Sequence, residues 1–378
     1  MHNSLSNVYL LLSQKCNLSC SYCYANGGDF GQESRLMGSR VLRRALERML
    51  PLADEVLVVS FFGGEPLLNF ERMQEAVAIG DGLARESGVE LRYALTTNGT
   101  VVTDEIIAFL KAHVDYVAVS LDGEVRLNDR ERRFRNGTRG VHDAVCATLA
   151  RFREAGIRFG IRGTVTEDGA GMVDATTRYL RGLGADSVRI VPAFHADGWP
   201  LPALDVLAES MCALELEALA QVARGEEPVR GESFYKTLAC TIGGERRDHP
   251  CAAGDAMLAV AVDGGVYPCD HFVGVTDYCM GNVCDESWPG QRFAQVRAKL
   301  NGNSVTQRAA CRECAVRHVC GGECHAHSLA AHGNIATPSP SHCTLMHRVY
   351  SRLTAEVEKL VADETARGRM RDFLGEER

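Results

Sequence analysis

The sequence predicts an α/β protein: a parallel sheet built from six strand–helix units, followed by a small cysteine-rich domain. Three observations support this prediction. Apolar strand-like runs alternate with amphipathic helical stretches from Val8 to about Gly225, and such alternation is typical of a parallel sheet with helices packed outside it. Six units fall short of the eight that close a full barrel. Beyond them the alternation stops, and ten of the fifteen cysteines lie between Cys240 and Cys343.

The six units follow one another in chain order. Each strand is a short apolar run that ends in polar or glycine-containing residues, and each helix repeats its apolar residues at a spacing of three or four. The predicted strands are Val8–Ser13, Glu55–Phe62, Glu90–Thr96, Tyr116–Leu121, Arg158–Val165 and Ser187–Pro192. The predicted helices are Ser39–Leu50, Phe70–Ser87, Asp104–Ala112, Gly140–Ala155, Met172–Gly182 and Leu204–Ala223.

The composition changes after Arg224. The next residues, 225–231, are charged and include proline and glycine, so we predict a linker there. We expect the cysteine-rich domain to be held together by metal more than by a large apolar core. The predicted domains are 1–224, 225–344 and a C-terminal helix and tail over 345–378, with the helix at Leu345–Val361 and a mobile tail at Arg367–Arg378.

Composition excludes several classes of function. The chain has 41 basic and 49 acidic residues, for a net charge of −8, which argues against a nucleic-acid partner. No apolar run is long enough to span a membrane, and the residues before Val8 lack the basic start of a signal peptide. Fifteen cysteines without a secretion signal indicate metal ligands in a reducing cytoplasm more than a disulfide framework.

Three cysteines, Cys16, Cys20 and Cys23, lie on one polar loop directly after the first predicted strand. Three thiolates on a short loop can hold three irons of a [4Fe–4S] cluster. The fourth iron would then be open to a small molecule. A zinc site is the alternative interpretation, but zinc prefers four tetrahedral ligands and paired cysteine spacings. A disulfide is a less favoured interpretation of these cysteines than zinc.

Polar and glycine-rich residues follow the other predicted strands. Gly63, Gly64, Glu65 and Pro66 end the second strand; the glycines allow a close approach of backbone to ligand, and Glu65 could accept a hydrogen bond from an ammonium group. On its own this tetrapeptide would be an ordinary turn. The further strand-end residues, which we expect at the same mouth because the strands are parallel, are Asn98, Ser120, Asp122 and Arg162.

The cysteine triplet with Tyr22, followed by Gly63-Gly64-Glu65-Pro66, resembles the signatures of radical S-adenosylmethionine (SAM) enzymes. The resemblance implies an open partial (β/α)6 barrel whose reduced cluster, supplied by a flavodoxin- or ferredoxin-type reductant, cleaves SAM to methionine and a 5′-deoxyadenosyl radical. It implies that the Gly63–Pro66 motif holds the SAM amino group. It further implies sugar or carboxylate contacts from Ser120 and Asp122, a carboxylate contact from Arg162, and adenine flanked by Tyr22 and Tyr24. For Arg162 the alternative is an outward side chain on a solvent-exposed face.

The later cysteines match the pattern of SPASM domains, which bind two auxiliary [4Fe–4S] clusters and would bring the total to three. The resemblance assigns the outer cluster to Cys311, Cys314, Cys320 and Cys343. It assigns the inner cluster to Cys251, Cys269 and Cys324. Cys240 is the candidate fourth ligand, although ten residues separate it from Cys251. If Cys240 does not reach, the inner cluster has an open iron that could bind a substrate thiolate.

The expected reaction is oxidation of a peptide or protein side chain. The run Val266–Asp270 is similar to anaerobic sulfatase-maturing enzymes, in which the Asp after the cysteine is the proposed base; a simple turn cap is the alternative for Asp270. Phe61–Phe70 and Ser120–Gly123 look more like maturases of ribosomally made peptides. We therefore expect a thioether, carbon–carbon or carbon–oxygen cross-link.

Several alternatives remain at this level. One is oxidation of Cys or Ser to formylglycine in a sulfatase, and another is a small-molecule SPASM dehydrogenase. A simple iron–sulfur electron carrier would not need the Gly63–Pro66 motif or the polar strand ends. Because the first strand begins near Val8, we expect a leader peptide to be recognised by a separate protein or by the SPASM surface, if recognition is needed.

Overall fold

The computed structural model describes residues 5–137, 139–193, 198–228 and 232–376. The strands are β1 (Asn7–Ser13), β2 (Val56–Gly63), β3 (Glu90–Thr97), β4 (Tyr116–Ser120), β5 (Phe159–Val165), β6 (Ser187–Pro192), β7 (Met257–Val260) and β8 (Val266–Tyr267). The helices are α1 (Ser39–Met49), α2 (Phe70–Ser87), α3 (Asp104–His113), α4 (Val125–Glu131), α5 (His142–Ala155), α6 (Val173–Gly182), α7 (Leu201–Arg224), α8 (Glu232–Thr241), α9 (Gln291–Asn301), α10 (Ala309–Arg312), α11 (Arg317–Cys320), α12 (His325–His332), α13 (Pro340–Leu360) and α14 (Glu364–Glu376). Residues 229–231, at the end of the predicted linker, lie outside the described residues.

The sheet has the order β6-β5-β4-β3-β2-β1-β7-β8. Its neighbours from β5 to β7 run parallel, and β8 is antiparallel to β7. The predicted α/β class and all six predicted strands are confirmed. The short strands β7 and β8 were not predicted. Strand β7 pairs with β1, about 250 positions away in the chain, and β8 pairs with β7. The local sequence around these two strands therefore does not indicate which sheet they join.

Strand β1 lies inside the sheet and ends at the cysteine loop. Leu10, Leu11 and Leu12 are all fully buried, as expected for a parallel strand covered on both faces. The pairing with β2 is regular through Leu11, becomes irregular between Leu11 and Ser13, and resumes as Ser13 opposite Gly63. The end of the ladder therefore brings the cysteine loop next to the glycine motif.

The described residues form two compact units. The first contains Met1–Arg162, Leu180–Asp186 and Ala252–Asn301. The second contains Gly163–Tyr179, Ser187–Cys251 and Gly302–Arg378, and its apolar core includes residues of α7, α8, α13 and α14. The predicted domain boundaries remain predictions.

The C-terminal segment differs from the expected mobile tail. Residues from Glu364 onward form helix α14, and its Ala366, Met370 and Leu374 are buried. These residues recur every four positions and so form one helical face, which packs in the core of the second unit. Across the described ranges, none of the helices combines the length and apolarity needed to cross a membrane.

A buried carboxylate links α7 to the start of α8. Glu215 accepts hydrogen bonds from the backbone N–H groups of Ser233 (3.2 Å) and Phe234 (2.8 Å). Burial raises the pKa of Glu215 from 4.5 to about 7, although these two hydrogen bonds act to lower it. Protonated Glu215 therefore contributes stability that is fully present below about pH 4.5 and is lost as the pH rises through about 7.

We predict that Glu215→Gln removes a pH-dependent part of the free energy of unfolding. Between pH 5 and 7 the wild type should lose stability relative to this variant, by up to about 3 kcal/mol at 1.36 kcal/mol per pKa unit. The measurement is the urea unfolding midpoint at several pH values. Glu209→Gln, on the same helix but solvent-exposed, is the control and should follow the wild type. Equal pH slopes in the wild type and Glu215→Gln would contradict the raised pKa.

Candidate active site and cluster sites

The cysteine loop is held by backbone pairing to a distant segment, residues 131–135. The N–H groups of Ser19 and Ser21 donate to the carbonyls of Arg133 (2.9 Å) and Glu131 (3.0 Å), and the Arg135 N–H donates to Asn17 (2.9 Å). Cys16, Cys20 and Cys23 are partly exposed free thiols on this loop. The pairing gives the loop a defined backbone conformation before any metal binds.

Segment 131–135 also places a buried cation behind the loop. The side chain of Arg132 is 7 % exposed, and its Nη1 donates to the Tyr22 hydroxyl (2.8 Å). Tyr22 in turn donates to the Asp122 carboxylate, which lies 4.0 Å from the Arg132 Nη1. Tyr22 and Asp122, both predicted SAM contacts, thus form a hydrogen-bonded cluster with an arginine that the sequence did not single out.

The glycine motif leaves no room for side chains where it meets the cysteine loop. A Cβ on Gly63 would lie 2.2 Å from the Ser13 carbonyl oxygen, and a Cβ on Gly64 would lie 2.4 Å from that of Lys15. Gly63 also has a φ of +130°, which L side chains rarely adopt. The motif can therefore form a backbone cradle beside the thiols, as the SAM-binding prediction requires.

Glu65 follows these glycines and is completely buried. Its carboxylate accepts hydrogen bonds from Leu67 N–H (3.1 Å), the Thr97 hydroxyl (2.8 Å) and Asn98 N–H (2.7 Å). Burial raises the pKa of Glu65 to about 7, and the hydrogen bonds from Asn98, Leu67 and Thr97 act to lower it. A carboxylate has about four acceptor positions, so about one remains for a ligand ammonium group.

Asn98 joins the end of β3 to the cysteine loop. Its side-chain amide donates to Asn17 Oδ1 (2.8 Å) and contacts the Cys16 sulfur at 3.7 Å. Ser120 lies opposite Arg162 in the pairing of β4 with β5, and residues paired in register have side chains on the same face. Ser120 is partly exposed and Arg162 is exposed, so both are accessible to a ligand at that edge.

Tyr24 has a contact other than the predicted adenine. Its hydroxyl donates to Asp270 Oδ2, and its ring stacks on His271 with centroids 3.8 Å apart. The residue is 49 % exposed, while burial of the hydroxyl and the neighbouring Asp270 raise its pKa well above the ordinary range. Asp270, 9 % exposed, therefore lies one hydrogen bond from the residue that follows Cys23.

All four cysteines assigned to the outer cluster line one cavity in the second unit. The cavity has a volume of about 410 Å³ and is lined by Cys311, Cys314, Cys320 and Cys343. Burial and the nearby thiols and Glu323 raise the pKa of Cys343 to about 12. Four thiols in one cavity would repel one another as thiolates without a cation, whereas bound iron would both fill the space and supply positive charge.

Two fully buried charged residues support this fit. Arg308 and Glu323 are each 1 % exposed. The Arg308 Nη1 donates to the Glu323 carbonyl (2.9 Å), but Arg308 Nη2 and Glu323 Oε1 have no hydrogen-bond partner among the described residues. Orphaned buried polar atoms indicate a group that the protein atoms alone do not supply.

The feature that matches a cluster is the cavity lined by four cysteines. Thiolates that bind separate irons of a cluster stand farther apart than the ligands of one ion. Within the described parts of the chain, no three His, Cys, Asp or Glu side chains converge closely enough to hold one ion.

The cysteines assigned to the inner cluster belong to both units. Cys240, Cys251 and Cys324 lie in the second unit and Cys269 in the first. Cys240 is on α8 and packs against the core of the second unit, whereas Cys251 is exposed. Their grouping, including the role of Cys240, remains a prediction.

Sequence reasoning missed Arg132, Arg308 and Glu323. Arg308 and Glu323 lie close in sequence to Cys311 and Cys324, whereas Arg132 is not close to any cysteine or predicted strand-end residue. However, charged residues are abundant on surfaces and an isolated arginine has no motif. Burial is what distinguishes these three, and burial is a property of the folded chain.

Comparison with protein families agrees with this geometry. The Radical SAM superfamily matches residues 10–168, and the SPASM iron–sulfur cluster-binding domain matches residues 251–315. The chain therefore contains a radical SAM domain followed by a SPASM domain. The resemblance inferred from the cysteine triplet, the Gly63–Pro66 motif and the later cysteines is thereby confirmed.

Curated relatives of this radical SAM chain have several reactions in their names. A protein of Methanocaldococcus jannaschii is 29 % identical over 50 % of this chain and 63 % of its own length. A serine-type anaerobic sulfatase-maturating enzyme of Klebsiella pneumoniae is 26 % identical over 84 % of this chain and 81 % of that protein. An Fe-coproporphyrin III synthase of Methanosarcina barkeri is 25 % identical over 87 % and 86 %.

Solved structures share the fold. The native anSMEcpe structure with bound AdoMet and a Kp18Cys peptide has a TM-score of 0.77 and 18 % identity, covering 94 % of this chain and 99 % of that one. Streptococcus suis SuiB bound to the precursor peptide SuiA has a TM-score of 0.62 and 16 % identity, covering 91 % and 76 %. At sequence identities this low, the similarity to these structures establishes the fold and not the reaction.

The cysteine assignments predict a specific iron content. Anaerobic reconstitution should load about twelve irons per chain, four for each of three clusters. Replacing Cys16, Cys20 and Cys23 together by Ala should leave about eight irons and abolish SAM cleavage, because the auxiliary cysteines are untouched. Iron analysis and a SAM-cleavage assay provide the measurements. About four irons in the intact protein would be incompatible with two auxiliary clusters.

A second prediction concerns SAM placement by Glu65 and Ser120. Glu65→Gln keeps the shape but removes the anion that would face the SAM ammonium, a charge-assisted hydrogen bond worth roughly 1.5–3 kcal/mol. SAM binding, measured by anaerobic calorimetry, should weaken about tenfold to a hundredfold. Ser120→Ala should also weaken it. Glu71→Gln, at an exposed position on α2, is the control. Wild-type affinity in both test variants would refute the placement.

Proposed function

We propose that this radical SAM enzyme removes a hydrogen atom from a peptide or protein substrate and oxidises the resulting radical to form a cross-link in a ribosomally synthesised peptide. The cross-link would be a thioether, a carbon–carbon or a carbon–oxygen bond. The observation that carries the oxidative part of the proposal is the hydrogen bond from Tyr24 to Asp270. It places a buried carboxylate between the cysteine loop and Cys269, a predicted auxiliary-cluster ligand.

The proposal assigns a separate role to SAM, to the clusters and to the residues that would bind SAM. When bound, SAM and its cluster supply the radical that removes the hydrogen atom, and the auxiliary clusters accept the electron that follows. The cradle at Gly63–Pro66 and the remaining acceptor position of Glu65 would hold the SAM amino group. Ser120 and Arg162, side by side at the strand ends, would contact its sugar or carboxylate.

Asp270 is the proposed base. Asp270 Oδ2 accepts a hydrogen bond from the Tyr24 hydroxyl, and the His271 Nε2 lies 3.9 Å from the same oxygen. Oδ1 would then face a substrate proton. Removing that proton as the electron leaves avoids a high-energy cationic product. Asp270 must be held in place for this task, and its hydrogen bond to Tyr24 does so.

Two lines of support favour peptide modification. Phe61–Phe70 and Ser120–Gly123 look like peptide maturases, and the fold is shared with structures that contain peptides. Under this proposal an external one-electron donor of the flavodoxin or ferredoxin type reduces the enzyme. A leader peptide, where the substrate has one, would be bound by a separate protein or by the SPASM surface.

A second candidate is oxidation of Cys or Ser to formylglycine in a sulfatase. The position of Asp270 favours it, because in aldehyde formation the proton leaves the same group that loses the electron, whereas in a cross-link the proton leaves the side chain that captures the oxidised carbon. The similarity to the Klebsiella sulfatase-maturating enzyme also favours it. The two candidates share hydrogen abstraction and differ in what captures the oxidised carbon.

We predict that Asp270→Asn separates these candidates. The substitution keeps size and hydrogen bonding but removes basicity. In a sulfatase maturase it should leave SAM cleavage intact and abolish the aldehyde. In a cross-linking maturase it should give the same product more slowly. The measurement is mass spectrometry of candidate peptides after turnover.

The product itself decides between the candidates. Both reactions remove two hydrogens from the peptide, and formation of the aldehyde from a cysteine also consumes water and releases hydrogen sulfide. A cross-link leaves a gap in the fragmentation series between two residues, whereas a carbonyl leaves linear fragmentation and reacts with a hydrazine. A fragmentation gap would reject the sulfatase candidate, and a hydrazine-reactive product would reject the cross-link.

A further inference from the structure

Segment 131–135 pairs with the cysteine loop and carries three arginines. Arg133 and Arg135, whose backbone groups pair with the loop, have exposed side chains, and the Arg135 guanidinium donates to the backbone carbonyls of Cys16 (3.2 Å) and Gly27 (2.7 Å). Arg132, which precedes them, is 7 % exposed. Successive residues of an extended chain face opposite sides, and Arg132 is the arginine of this segment whose guanidinium is buried.

The buried guanidinium is only partly compensated by protein groups. Arg132 donates from Nη1 to Tyr22 (2.8 Å) and lies 4.0 Å from the Asp122 carboxylate. Its Nε is buried and has no hydrogen-bond partner among the described residues. Arginine does not give up its proton in proteins, and a buried charge is costly unless it is well paired. The carboxylates that act on Arg132 are Asp122 and the buried Glu65. Further negative charge would have to come from another neighbour.

The neighbour that can supply this charge is the cysteine loop. Tyr22, which accepts the Arg132 hydrogen bond, lies in the sequence between Cys20 and Cys23. The segment that carries Arg132 also pairs with the loop backbone at Ser19 and Ser21. Arg132 and Asp122 therefore lie beside the loop thiols, where charges of opposite sign act on a bound group in opposite directions.

We propose that Arg132 is a positioning residue that makes reduction of the loop cluster easier, with Asp122 opposing it. A cluster bound by three thiolates becomes more negative by one unit when it takes up one electron. A fixed positive charge nearby stabilises that reduced form, and a fixed negative charge destabilises it. Arg132 also holds Tyr22, and through it Asp122, in place. The inference rests on the proposed cluster at Cys16, Cys20 and Cys23 but not on any choice of substrate.

The test is a dithionite titration of the reconstituted full-length enzyme, followed by electron paramagnetic resonance. Dithionite supplies the one electron, and no bond is made or broken. The loop cluster is identified as the reduced signal that changes when SAM is added. The measured quantity is its midpoint potential without SAM, in the wild type and in Arg132→Met, Arg132→Lys, Asp122→Asn and Arg133→Met.

Arg132→Met should make reduction about tenfold less favourable, which is a fall of about 59 mV for one electron. Arg132→Lys keeps the charge and should stay near the wild-type potential. Asp122→Asn should move the potential in the opposite direction, upward. Arg133→Met removes an exposed arginine from the same segment and should leave the potential unchanged, because solvent screens its charge.

Several results would overturn the inference. One is a potential for Arg132→Met equal to that of Arg133→Met, and another is an unchanged or lower potential for Asp122→Asn. If Arg132→Met does not fold, the upward shift in Asp122→Asn decides the matter. A wild-type protein without any SAM-sensitive cluster signal would overturn the cluster assignment itself, and this inference with it. An aldehyde or a small-molecule product would change the proposed function and leave the inference standing.

Discussion

The buried Glu65 carboxylate is the interaction on which the first site depends. It accepts hydrogen bonds from the Leu67 N–H group, two residues further along the chain, and from Thr97 and Asn98 at the end of β3. Asn98, one of these residues, also contacts the cysteine loop. One carboxylate therefore ties together the ends of β2 and β3 and, through Asn98, the loop after β1. Its raised pKa is the electrostatic cost of holding them in a dry interior.

Buried arginines beside cysteine sets occur in both units. Arg132 lies near Cys20 in the first unit, and Arg308 lies near Cys311, Cys320 and Cys324 in the second. In each case the guanidinium has an atom without a protein partner among the described residues. Thiolates bound to iron carry negative charge, so these buried arginines would stabilise bound clusters.

The contact between Tyr24 and Asp270 is made by loops rather than by strand pairing. Strand β7 runs parallel to β1, and β8 runs back antiparallel to β7. Cys269 and Asp270, which follow β8, therefore leave the sheet at the end opposite to the one where β1 enters the cysteine loop. The hydrogen bond between Tyr24 and Asp270, 246 positions apart, depends on the course of the loops after β1 and β8.

The sequence by itself determined the features that depend on local pattern. Apolar runs and helical periodicity located the six strands of the barrel-like region, because burial on a sheet or helix face constrains neighbouring residues. Cysteine spacing and the Gly63–Pro66 motif identified the family, because a cluster or a tight backbone turn needs particular residues at particular intervals. Asp270 was singled out because it follows a cysteine of the SPASM pattern.

Only the tertiary structure decided the long-range pairings. Strands β7 and β8 are too short to show a period, and their partner is the distant β1 edge. The residues of helix α14 were expected to form a tail because their apolar face is short. That face is stabilised only by packing against the core of the second unit, which the sequence does not show. Arg132 and Arg308 look like surface arginines in the sequence. Whether such a charge is solvated or buried beside thiols depends on which segments the fold brings together, and no local pattern contains that information.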